Sequence, residues 1–268
     1  LRRFNFFQWL DRRGVDGTAL YYELSFWWMG WRRTSRTATI LNFGYAPVSK
    51  EVAADPLCME PLQAELYRQV AGAVGVDRLR GGRVLEVSCG SGGGFDFLRR
   101  HFGIGHAALV DRSWRALRLA RRLFGLEGVR ADALHLPFAR GSFDVVLSVE
   151  ASHMYSLAKF ASEAGAILAQ GGVLCLADFR RGAPVIAEGK LTQTLVEAGF
   201  KLILFRDVTA NIVESLRLDG PRREADNARV PWPLRQSIRQ WSGGENTGQY
   251  ERLTTQQEIY FILVAQRG

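Results

Sequence analysis

The chain is 268 residues long, 47% hydrophobic and 23% charged, a folded globular composition that excludes wholesale disorder. No apolar run reaches the ~18–20 residues that cross a bilayer, and the basic opening Leu1-Arg2-Arg3 leads into no long apolar core, so neither an integral membrane protein nor a secretory signal is expected. The net charge of +8 rests largely on Arg doublets strewn from 2–3 to 222–223, which reads as solvated surface and not as the stripe of a nucleic-acid groove.

Residues 1–45 hold 12 of the 30 aromatic residues, a texture distinct from the rest. In residues 46–80 the apolar Leu62, Leu66 and Val70 recur every four positions, as in a helix. Residues 1–80 are expected to form a helical cap or lid with its lead-in, and residues 81–268 the core. From Gly81 strands and helices alternate: strand 83–87, a glycine turn and helix 95–102, strand 106–110, an Arg-rich amphipathic helix 113–124 and a short strand 128–131. A buried strand 143–149 follows, then helix 157–169 stopped by Gly171-Gly172, strand 173–177, and helix 185–198 stopped by Gly199. This rhythm predicts an α/β fold with a mainly parallel sheet covered on both faces. Two late strands, 200–207 and 259–265, suggest an antiparallel edge. The stretch between them, about 208–250, is too long for a simple loop and is expected to add capping helices over the strand ends. Cys58, Cys89 and Cys175 form no C-x-x-C pair, so no zinc site or disulfide framework is expected, and a reduced, cytoplasmic protein is the economical reading.

One motif decides the class. In Val84-Leu85-Glu86-Val87-Ser88-Cys89-Gly90-Ser91-Gly92-Gly93-Gly94-Phe95 a buried strand runs into a glycine turn that opens a helix, the place where open α/β sheets bind nucleotide-like ligands. A dinucleotide fingerprint would want glycine at Phe95 and would not require an acid at Glu86. Asp111 ends the second strand, placed to accept ribose hydroxyl hydrogen bonds, and Asp132 ends the third. Taken singly, Asp111 could be a helix cap and Asp132 a turn acid, but three acids at successive strand ends in register with the turn make coincidence a poor account.

This arrangement resembles motif I of the class I S-adenosylmethionine-dependent methyltransferases. The match extends through residues 136–146, through Ser148-Val149-Glu150-Ala151-Ser152-His153-Met154-Tyr155 and through Ala177-Asp178-Phe179-Arg180. The last two stretches, with Leu41-Asn42-Phe43-Gly44-Tyr45, look like the phthiotriol/phenolphthiotriol dimycocerosate methyltransferase group and similar natural-product O-methyltransferases. The resemblance implies a Rossmann-like, seven-stranded, mainly parallel sheet with an antiparallel last strand, and S-adenosyl-L-methionine as cofactor with S-adenosyl-L-homocysteine as product. It implies that Glu86 helps hold the methionine end, beside Gly90 and Gly92, with Ser88 where the family usually has its first glycine. Asp111 would take the ribose, with Arg112 beside it, and Asp132 the adenine amino group, with Ala133 against the ring. Val149 and Tyr45 complete the expected cofactor surroundings.

A sulfonium methyl is already activated, so the protein must align an acceptor oxygen and remove its proton. His153, just past the fourth strand, is the expected general base, with Asp178 to orient it and Glu150 open between base, substrate contact and structural role. No metal is expected. Tyr22, Phe26, Trp27, Tyr155 and Trp241 are expected to line an apolar acceptor pocket, although N-terminal aromatics also suit ordinary core or the interface of a homo-oligomer. The expected activity is O-methylation of a lipophilic secondary metabolite, such as a polyketide or glycosylated product. A methyltransferase-fold cyclase, a C-methyltransferase and an RNA-modifying enzyme are the alternatives.

Overall fold

The computed structural model describes residues 39–229, 243–245 and 247–268, together with Arg13, Gly17, Leu20, Glu23, Leu24, Phe26 and Arg235. Among them seven strands form one sheet in the order β3-β2-β1-β4-β5-β7-β6. They are β1 Arg83–Val87, β2 His106–Asp111, β3 Gly128–Arg130, β4 Phe143–Val149, β5 Leu168–Arg181, β6 Phe200–Asp207 and β7 Glu258–Arg267. All neighbours are parallel except β7, which runs antiparallel to both β5 and β6. The chain builds from β1 out to β3 and returns to β4 on the other side of β1. Connections therefore diverge between β1 and β4, which opens a crevice beyond their carboxyl ends.

Among the described residues the helices with defined bounds are α1 Lys50–Ala53, α2 Pro61–Val74, α3 Val76–Gly81, α4 Gly93–Phe102, α5 Trp114–Phe124, α6 Leu157–Ile167, α7 Pro184–Glu197, α8 Thr209–Ala228 and α9 Gly248–Thr254. Strand side chains alternate between two cores. Val84, Val145, Tyr260 and Ile262 pack with α2, α4, α5 and α8, while Leu85, Val146, Phe261 and Leu263 pack with α6 and α7. The lead-in helix α2 thus shares a core with the sheet.

One expectation needs correction. Helix α6 ends at Ile167, short of Gly171-Gly172, and Leu168 instead begins β5 by pairing with Phe143. Gly171 (φ 72°) lies inside that strand, where the pairing with β4 shifts register. A buried apolar run such as Ala164–Leu168 fits helix or strand alike, so periodicity could not separate them. The two late strands do form the expected antiparallel edge of the sheet, with β7 inside β6. β7 is buried on both faces from Glu258 to Ala265 and so needs a neighbour on each side, whereas β6, with Lys201 and Ile203 exposed, takes the edge.

Residues 39–46 cross the start of α4 and are held by hydrogen bonds to Glu60, Ser91, Glu150 and Ser215. Thr39 and Ile40 N–H groups donate to Glu60 Oε2 at 2.7 and 3.1 Å, and Ser91 Oγ donates to the Thr39 carbonyl at 2.8 Å. Ser215 Oγ on α8 donates to the Phe43 carbonyl at 3.0 Å. Gly44 has φ 80°, and a Cβ there would collide with the Ser215 hydroxyl, so this crossing requires glycine.

Candidate active site

The glycine turn is built around Asp111. Its Oδ2 accepts the Gly90 N–H at 2.9 Å and its Oδ1 the Ser113 N–H at 2.8 Å, so the carboxylate ties the end of β2 to the turn after β1. Ser113, not Asp111, caps α5 by accepting the Ala116 N–H. Gly92 caps α4 at φ 81°, where a Cβ would press on Ala120. Ser88 has φ 61°. That is a left-handed backbone in which glycine is unstrained and serine costs ~1 kcal/mol, which explains why the family pattern favours glycine at this position.

Glu86 is buried, and its Oε1 accepts the Tyr67 hydroxyl at 2.6 Å. Among the described residues its Oε2 has no hydrogen-bond partner. Tyr67 reaches this carboxyl only because Gly94 has no side chain, since a Cβ there would enter the phenol ring. Burial pushes the Glu86 pKa from 4.5 up to about 8, against the pull of the Tyr67 hydrogen bond, with the Asp111 charge adding to the rise. Burial likewise raises Asp111 from 3.8 to about 6 and Glu150 from 4.5 to about 7. A carboxyl whose pKa rises on folding gives its full stability below its ordinary value and loses it as pH climbs through the folded one. The melting temperature of the cofactor-free protein is therefore expected to fall between about pH 4 and 8, and Glu86→Gln to flatten that slope. A melting temperature that rises across the window would contradict the assignment.

Two strand spacings from β1, about 10 Å, β5 brings Asp178 under the turn after β4. His153 Nδ1 lies 2.8 Å from Asp178 Oδ1, which also accepts the Phe179 N–H at 2.8 Å. Asp178 Oδ2 accepts the Ser152 hydroxyl at 2.6 Å and the His153 N–H at 2.9 Å, with Arg180 Nη1 at 3.4 Å. Burial opposes ionisation of Asp178, but the His153 ring, the Arg180 charge and the Ser152 hydroxyl outweigh it and hold the pKa below the ordinary range. An ionised Asp178 only accepts, so the neutral form of the His153 ring carries its proton on Nδ1 and leaves Nε2 as the accepting nitrogen. The His153 ring packs 4.2 Å from Phe179, which stacks on Phe43 at 5.6 Å.

Glu150 sits beside this pair at φ 50°, another strained backbone. Its Oε1 accepts the Phe43 N–H at 2.7 Å and the Tyr260 hydroxyl at 2.9 Å, which ties residues 39–46 and β7 to the end of β4. The Tyr155 hydroxyl lies 3.2 Å from Ser148 Oγ and also meets Ser88; burial pushes its pKa up to about 12, so it stays protonated. Val149 and Ala133 are buried, Tyr45 is half-buried, and Arg112 and Asp132 are exposed. Asp132 Oδ1 accepts the Leu134 N–H at 2.9 Å, the geometry of a turn acid. Phe26 packs on Ala116 and Leu119, with its ring over Gly90, so it borders the glycine turn. Tyr22, Trp27 and Trp241 lie outside the described residues. Sequence reasoning missed Tyr67 and Tyr260, which reach the site through distant contacts, and gave no role to Phe43, Ser152, Phe179 and Arg180 although they lie in the matching stretches.

Comparison with known proteins bears on this geometry. The family model for a methyltransferase domain matches residues 85–176, from β1 into β5. The chain is 31% identical over 243 residues to the phthiotriol/phenolphthiotriol dimycocerosates methyltransferase of Mycobacterium leprae, covering 87% of this chain and 88% of the relative. This chain belongs to that family of class I S-adenosylmethionine-dependent methyltransferases. It is also 32% identical over 238 residues to a fatty-acid O-methyltransferase of Mycolicibacterium smegmatis, covering 83% of this chain and 82% of that one. Among solved structures, the [4+2]-cyclase SpnF shares the fold with a TM-score of 0.68 and 19% identity, over 85% of this chain and 88% of that chain.

As a methyltransferase of this class, the chain takes S-adenosylmethionine as its cofactor and releases S-adenosylhomocysteine. The residues present fit that ligand: a left-handed glycine turn opens a helix, and beside it Glu86 buries a carboxyl oxygen, Oε2, that has no hydrogen-bond partner among the described residues.

Proposed function

We propose that this methyltransferase acts on a hydroxyl oxygen of a lipophilic small molecule, with His153 as general base. The observation that carries this reading is the 2.8 Å pairing of His153 Nδ1 with a fully buried Asp178 at the carboxyl end of β5. The bound cofactor supplies a sulfonium methyl already activated for displacement. The protein supplies the proton acceptor: His153 Nε2 faces away from Asp178 and takes the acceptor's hydroxyl proton. Asp178 fixes the ring and stabilises the imidazolium that forms, held charged by Ser152, Arg180 and two backbone N–H groups. Phe179 packs against the ring and is itself stacked on Phe43, which helps hold the imidazole in one orientation. Glu150 acts as a tether for Phe43, because its Oε1 is already taken by two donors.

On the cofactor side the reading assigns Glu86, with Ser88, Gly90, Gly92 and Tyr45, to the methionine end. Asp111 with Arg112 takes the ribose, and Asp132, Ala133 and Val149 the adenine. Asp111→Ala is expected to weaken S-adenosylhomocysteine binding by roughly 10–100-fold, the worth of charge-assisted hydrogen bonds. Isothermal titration on protein whose fold is verified by circular dichroism checks it.

The relatives named for phthiotriol dimycocerosates and for fatty acids support both the oxygen acceptor and its lipid character. The likeness to a cyclase favours a second reading, in which the fold is kept but no methyl moves. Incubation with S-adenosylmethionine and long-chain alcohol or fatty-acid acceptors, read by mass spectrometry, separates them. Methyl transfer adds one methyl to the acceptor, and cyclisation leaves the mass unchanged.

A further inference from the structure

We infer that the turn joining β5 to α7 docks on an anionic lipid surface and holds the mouth of the active site against it. Val185 is 82% exposed and Ile186 55% exposed, side by side in the first turn of α7 and preceded by the exposed Ala183. Large apolar side chains presented to water this fully, in consecutive positions, call for a partner. The flanks are cationic: Arg181 ends β5 just before the turn, and Lys190 lies one helical turn beyond Ile186, both exposed. Glu188 is the one acid between Arg181 and Lys190, so the tip is net positive, on a chain of net charge +8.

Size and charge choose the occupant. A short run of exposed apolar residues falls far short of the ~800 Å² per partner of a stable protein interface. A bilayer asks for less, since a small apolar insertion and a few cations suffice for reversible binding to anionic lipid. Position gives the docking a purpose, and here the inference rests on the lipophilic-acceptor reading above. Asp178 lies three residues before Arg181 on the same strand. At ~3.3 Å per residue the tip stands about 10 Å beyond the His153–Asp178 pair. A lipid acceptor entering from the headgroup region would then reach the site without crossing bulk water.

Cosedimentation with vesicles tests this on the full chain. Wild-type protein is expected to bind phosphatidylcholine vesicles containing phosphatidylglycerol, more weakly at high salt and more weakly still to pure phosphatidylcholine. The double substitution Val185→Ser/Ile186→Ser should lower partitioning by roughly tenfold or more, and Arg181→Glu/Lys190→Glu should abolish the preference for anionic lipid. Neither should change S-adenosylhomocysteine affinity, which verifies that each variant is folded. Absence of wild-type binding, or equal binding by the serine variant, overturns the inference. So does a wild-type dimer in sedimentation velocity that the serine variant dissolves, because the tip would then join two copies of the chain. None of these assays contains an acceptor, so vesicle binding and acceptor chemistry stand or fall separately.

Discussion

Replacing His153 by alanine is expected to lower turnover by about 10²–10⁴-fold, the range for loss of a positioned general base, while S-adenosylhomocysteine affinity stays within a few fold of wild type. The split follows from position. His153 lies past β4, with its Nδ1 bound to Asp178 on β5, whereas the glycine turn and Asp111 belong to β1 and β2. Its side chain is 22% exposed, so truncation removes little core packing and the loss should appear in turnover more than in melting temperature. Steady-state kinetics beside calorimetry read both. Unchanged turnover would remove His153 from the role of base.

Asp178→Asn should cost as much turnover and, unlike His153→Ala, should also cost stability. Every hydrogen atom aimed at this carboxylate comes from a donor: the Ser152 hydroxyl, the His153 and Phe179 N–H groups, and His153 Nδ1. An asparagine accepts on one oxygen only, so its amide nitrogen must face either His153 Nδ1 with Phe179 N–H or Ser152 with His153 N–H. In the first arrangement the imidazole flips to the tautomer that carries its proton on Nε2, where a base needs a lone pair. We expect roughly a 10³-fold loss of turnover by that route and about 1–3 kcal/mol of stability from the donor left without an acceptor. Nuclear magnetic resonance of the ring nitrogens reports the tautomer directly. A wild-type-like tautomer together with lost turnover would shift Asp178 from orienting the base to some other function.

Much of this was legible in the sequence, and the reasons differ by element. The glycine turn, Glu86 and Asp111 form a local pattern, because the strand, turn and helix around a cofactor are contiguous in the chain. The pairing of His153 with Asp178 could be anticipated from two motifs at neighbouring strand ends, 25 residues apart. Glu150 could be singled out but not read. Its partners Phe43 and Tyr260 are 107 and 110 residues away, and no spacing rule connects them. The left-handed backbone at Ser88 was visible only as a departure from the family's glycine, and the structure supplies its physical meaning. The extent of β5 was misread because Gly171-Gly172 resembles a helix stop when it is a bend within a strand.

Transfer of a methyl group to oxygen under the control of His153 would leave a product that can be read directly. The most direct measurement uses S-adenosylmethionine carrying a carbon-13 methyl, a lipid hydroxyl acceptor, and carbon nuclear magnetic resonance of the product. Labelled carbon is expected at a methoxy shift with wild-type protein, and its rate of appearance should fall at least roughly a hundredfold with His153→Ala. Label appearing on carbon, or an unlabelled isomer of the acceptor, would contradict it.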